Sequence, residues 1–92
     1  MMKMTRELIT NNEQIMTDAH NLYKIGAVCD SMGQTESFDR YFHETYELDT
    51  EVETDGIFGI LGYEFMTDEQ KSIYDEYTEK VARELFKLQH NR

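Results

Sequence analysis

Residues 47–55 read "ELDTEVETD", with an acid at every second position: Glu47, Asp49, Glu51, Glu53 and Asp55. On a helix, residues two apart are separated by about 200°, so five such acids would scatter around the cylinder. On a strand they all point one way. The β-branched Thr50, Val52 and Thr54 between them favour the strand. The run ends at Asp55-Gly56, a two-residue turn signal, and "IFGILGYEF" follows. Residues 47–65 therefore read as a β-hairpin whose first strand carries an acidic face. Gly59 and Gly62 suggest a bulge or close approach in the second strand.

Helical patterns flank this stretch. From Thr5 to about Cys29, Leu8, Ile15, Ala19 and Leu22 recur at helical spacing. "TNNE" at 10–13 reads as a capping box, and Gly33 reads as the breaker. A second helix is expected through "ESFDRYFHETY", where Phe38, Tyr41, Phe42, Thr45 and Tyr46 form a core stripe. In the last element, "TDEQ" at 67–70 is a capping box, with Thr67 as cap and Gln70 reaching back. Ile73, Tyr77, Val81, Leu85 and Leu88 then form its apolar stripe. Glu76–Lys80 and Glu79–Arg83 are favourable i,i+4 pairs. The expected architecture is α+β: two N-terminal helices, a β-hairpin with an acidic strand, and a long C-terminal helix. At 92 residues, one domain spanning 1–92 is expected.

The net charge is −10, and it is unevenly placed. Residues 30–79 hold 15 acids against Arg40 and Lys71, whereas residues 80–92 hold Lys80, Arg83, Lys87 and Arg92 against Glu84. Such a field repels nucleic acid and membrane surfaces and attracts basic proteins. Direct nucleic-acid binding is expected only as a local contact at the basic end. The single cysteine, Cys29, excludes an internal disulfide and suits a reducing compartment. No stretch reads as a signal peptide or a membrane span, so a cytoplasmic location is expected.

Chemical constellations are sparse. Aligned to a calcium loop, Glu51, Glu53, Asp55 and Gly56 match only loosely, and the closing bidentate Glu is replaced by Gly62. "HETYE" from His43 lacks the second histidine of a zinc protease. His20, His43 and His90 have no ligand spacing with Cys29. Cys29, Ser31, Ser37 and Ser72 are nucleophiles by residue type only, with no strained elbow around them. No enzyme and no cofactor are expected. The aromatic residues read as core or partner interface rather than base-stacking platforms, because the surrounding charge repels phosphates. Tyr63, Tyr74 and Tyr77 are the expected interface tyrosines.

For the acidic row two readings stand. One is a solvated outer face that keeps an edge strand from aggregating. The other is a surface for a basic partner, joined by Asp68, Glu69, Asp75, Glu76 and Glu79 of the last helix. In its length, its acidity and the row "ELDTEVETD", the chain resembles the small acidic anti-CRISPR proteins of phages, including those directed at type I surveillance complexes. That resemblance implies a non-catalytic stoichiometric inhibitor in the host cytoplasm. Its acidic surface would imitate nucleic acid and block DNA or RNA binding by a basic protein or ribonucleoprotein complex. A competing class is a small structural or adaptor protein whose acidity serves solubility. A divalent-cation binder is the third.

Overall fold

A computed structural model describes residues 2–27, 29–30, 33–34, 36–51 and 62–90. Strand β1 (Met2–Lys3) leads through a 3-10 turn (Arg6–Thr10) into helix α1 (Asn12–Lys24). Strands β2 (Cys29–Asp30) and β3 (Gly33–Gln34) pair antiparallel. Helix α2 (Glu36–Thr45) runs directly into β4 (Tyr46–Glu47). The short helix α3 (Gly62–Phe65) precedes the long α4 (Asp68–His90).

The ends of α1 differ from the sequence reading. Asn11, not Thr10, caps it: the Asn11 side chain accepts from the Gln14 amide at 3.1 Å. The helix stops at Lys24 rather than near Cys29. Gly26 adopts φ +77°, and its N–H donates to the Tyr23 carbonyl while Ala27 N–H donates to that of Leu22. This is a Schellman end, which needs a left-handed residue and favours glycine. Gly26, not Gly33, is the breaker.

The α+β reading is corrected. The described residues are mostly helical, and they show no hairpin over 47–65. Strand β4 instead pairs parallel with β1, Met2 opposite Tyr46 and Lys3 opposite Glu47. Among the described residues of this stretch beyond Glu47, Thr50 alone makes a ladder contact, an isolated antiparallel bridge to Met66. Residues 62–65, expected in the second strand, are helical. The Asp55-Gly56 turn and residues 57–61 lie outside the described residues. The physical reason lies in where the backbone groups find partners. Asp49 N–H donates to the Gln70 side chain, Glu51 N–H to Phe65 O, and the Asp49 carbonyl accepts from Thr67 N–H. Residues 65–70, from the end of α3 to the first turn of α4, satisfy these groups of Asp49 and Glu51.

The core lies between α1, α2 and α4. Ile15, Ala19 and Leu22 on α1 are buried, as are Tyr77, Val81 and Leu85 on α4. Helix α2 contributes Phe38 and Phe42, both fully enclosed. The Phe42 ring is the hub of the aromatic packing. It lies 5.0 Å from Phe38, 5.3 Å from Tyr41 and 6.1 Å from each of Tyr46, Tyr74 and Tyr77. Among the described residues no helix is long and apolar enough to cross a membrane.

Candidate functional site

The acids of the sequence reading gather at one end of α4. In the segment before the undescribed stretch, exposure alternates: Glu47, Asp49 and Glu51 are exposed, whereas Leu48 and Thr50 are half-buried. The period of two therefore outlasts the two-residue strand. Glu53 and Asp55 lie outside the described residues. The hydrogen bonds of Asp49 and Glu51 to Thr67, Gln70 and Phe65 hold this segment against the end of α3 and the first turn of α4. All five acids expected on α4, Asp68, Glu69, Asp75, Glu76 and Glu79, are exposed. They follow two stripes, Asp68–Asp75–Glu79 and Glu69–Glu76, at helical spacing on the outward side. Five charges over about 16 Å of helix give roughly half the charge density of duplex DNA along its axis.

Part of this charge is locally answered. Lys3 Nζ lies 3.4 Å from an Asp49 carboxylate oxygen, and Arg83 meets Glu79 at 2.6 Å. Lys80, expected to pair with Glu76, instead donates to the Ile9 carbonyl at 3.0 Å. Both ion pairs are exposed, so each is weak and salt-sensitive. A small pocket of about 190 Å³ between Asp49, Glu69, Arg6 and Gln70 marks where the 47–51 segment meets α4. Gln70 is the tie there. Its N–H donates to the Thr67 hydroxyl at 3.0 Å, as the capping box requires. Its side chain does not reach back to the cap. Only 3% exposed, it accepts from Asp49 N–H and donates to the Met4 carbonyl at 3.2 Å.

The expected interface tyrosines separate. Tyr63 is half-buried: its hydroxyl donates to Asp75 at 3.0 Å, and Lys71 Nζ lies 5.7 Å from its ring centre. Partial burial, and then the Asp75 carboxylate, push its hydroxyl pKa up. Tyr74 and Tyr77, at 3% and 0% exposure, belong to the core and offer no surface to a partner. Their positions on the apolar side of α4, next to Ile73 and Val81, explain the correction. The Tyr74 hydroxyl donates to Asp39 at 3.1 Å, and burial followed by that carboxylate raises its pKa strongly.

Tyr77 belongs to a site that the sequence reading missed. Asp18 on α1 is 1% exposed, and its carboxylate gathers three phenols. Tyr46 and Tyr77 each donate to Oδ2 at 2.5 Å. Tyr41 donates to Oδ1 at 2.8 Å, with Gln14 Nε2 at 3.4 Å from the same oxygen. Asn21 Nδ2 in turn donates to the Tyr41 hydroxyl at 3.1 Å. Burial first, then the Asp18 carboxylate, drives the Tyr46 and Tyr77 pKa values well above the ordinary phenol range. One carboxylate thus ties α1 to α2, β4 and α4. The available signal was its place in the stripe: Asp18 falls three residues after Ile15, one before Ala19 and four before Leu22. An acid among those positions needs donors, and tyrosines recur on the facing elements.

Among the described residues, no group of three or more His, Cys, Asp or Glu side chains could hold a metal ion. Most of the loosely matched calcium-loop positions lie outside the described residues. Comparison of the chain with models of protein families, with curated proteins and with solved structures finds no match.

Proposed function

We propose that the chain is a non-catalytic, stoichiometric inhibitor that docks its acidic end on a basic nucleic-acid-binding protein or ribonucleoprotein complex and keeps DNA or RNA from it. The observation that carries this reading is the gathering of Glu47, Asp49 and Glu51 beside the exposed acids of α4. A solubility device needs no such clustering, whereas a mimic of a phosphate backbone does. Electrostatic steering would speed the encounter, and salt would weaken it. Size and acidity resemble those of phage anti-CRISPR proteins, which makes a CRISPR surveillance complex the target class to try first. The adaptor reading loses Tyr74 and Tyr77 to the core and keeps only Tyr63 at the surface.

The test is capture from host lysate at low and high salt, followed by competition with the captured protein's own DNA or RNA. The expected result is a basic nucleic-acid-binding partner that elutes with salt and exchanges against its nucleic acid. Converting Glu47, Glu51, Asp68, Glu69 and Glu76 together to amides should then weaken binding about a hundredfold while the fold survives. Retained affinity in that variant would overturn the reading.

A further inference from the structure

At the opposite end of α4 an open groove of about 640 Å³ runs between that helix and the start of α1. Ile15, Ala82 and Phe86 line it with apolar surface. Phe86 is 48% exposed, and its ring is packed on His90 at 4.2 Å between centres. The charged positions of this groove are mixed: Lys80, Arg83 and Lys87 against Glu79 and Glu84. That is a local excess of base on a chain of net charge −10.

We propose that this groove seats a second copy of the chain, with the two α4 helices antiparallel about a twofold axis beside Arg83. The choice of occupant follows from the charges. A uniformly acidic or uniformly basic partner would meet like charge on one part of the rim. A parallel copy would set Glu79 against Glu79 and Lys87 against Lys87. An antiparallel copy centred on Arg83 sets Glu79 level with the other copy's Lys87, and Phe86 level with its Lys80. Only Arg83 then meets itself; Glu79 and Lys87 each already hold an exposed pair within the chain, Arg83 at 2.6 Å and Glu84 at 3.3 Å, and pairs so exposed are weak enough to be shared across the axis. Exposed Phe86 next to an apolar floor is the kind of aromatic anchor that dominates interface energetics.

Long-range repulsion between the outermost acids does not oppose this pairing, and Glu79, the acid nearest the axis, lies beside its own Arg83. Asp68 lies 15 residues before Arg83, about 22 Å along the helix, where the Debye length is only about 8 Å at physiological salt. The acidic ends therefore point away from the axis and from each other, about 45 Å apart. Such a dimer presents both acidic ends outward, so one inhibitor would engage two basic sites or one repeated surface. Self-association itself does not depend on the proposed inhibitory function.

Sedimentation velocity from micromolar to millimolar concentration tests it. The mass should rise from 10.9 kDa towards twice that value with concentration. Phe86→Glu and, separately, Lys87→Glu should each weaken association at least about tenfold. Both positions are exposed, and circular dichroism verifies their folding. Lys87→Glu combined with Glu79→Lys and Arg83→Glu should restore association, because the three changes invert both the pair across the axis and the pair within each helix. Amides at Asp68 and Glu69 should leave the mass unchanged. A constant 10.9 kDa for the wild type at every concentration would overturn the proposal, as would a charge swap that fails to rescue.

Discussion

Asp18 shows how a single side chain can organise a small core. A buried carboxylate is costly unless donors replace its water, and here three phenols and one amide do so. Asp18→Asn keeps the shape but replaces one acceptor oxygen with a donor facing hydroxyls that also donate. The expected cost is about 2–4 kcal/mol, read as a lower urea midpoint with an unchanged slope. The phenols make a second prediction at this scale. Tyr46 and Tyr77 have folded pKa values raised above their unfolded value near 10. A raised folded pKa contributes stability that is complete below the unfolded value and is lost as pH climbs above it. Stability should therefore hold through neutral pH and fall from about pH 10 upward. Tyrosinate absorbance from the buried Tyr46 and Tyr77 should appear together with unfolding.

Among the elements, α4 was the most legible, and the 47–65 segment the least. The α4 stripe and its Thr67 cap depend on residues close in sequence, which is why spacing alone locates them. The alternation of 47–51 is also real, yet period two reports which residues face water, not what pairs with the backbone. Tyr46 and Glu47 pair with β1, more than forty residues earlier, whereas residues 49–51 bond to residues 65–70, and no local pattern announces the long-range parallel pairing. Gln70 was legible as a residue and misread as a contact. Its side chain serves Asp49 and Met4 rather than the helix cap. Thr67→Ala should cost about 1 kcal/mol, the ordinary loss of a cap. Gln70→Ala should cost more, about 2 kcal/mol, because it leaves two partners of a buried side chain without their bonds. Thermal unfolding of the two variants ranks them, and equal losses would show that Gln70 acts only at the helix end.

Across the whole molecule, α4 is an axis with acid at its start and mixed charge with exposed Phe86 at its end. Composition already placed the acid in the middle of the chain. It could not show that residues 49–51 would lie against residues 65–70 at the start of α4, nor that Tyr74 and Tyr77 would face inward. Those facts come from packing among α1, α2 and α4. The stitching at Gln70 bears on how the acidic end takes its shape. Helices α1 and α4 are built from local bonds, whereas the acidic end is closed by Met2 against Tyr46 and Gln70 against Met4. These contacts, like the packing of α1 on α4, join residues far apart in sequence, so helix formation alone does not assemble the acidic end. A half-folded chain would carry the same charge without the shape.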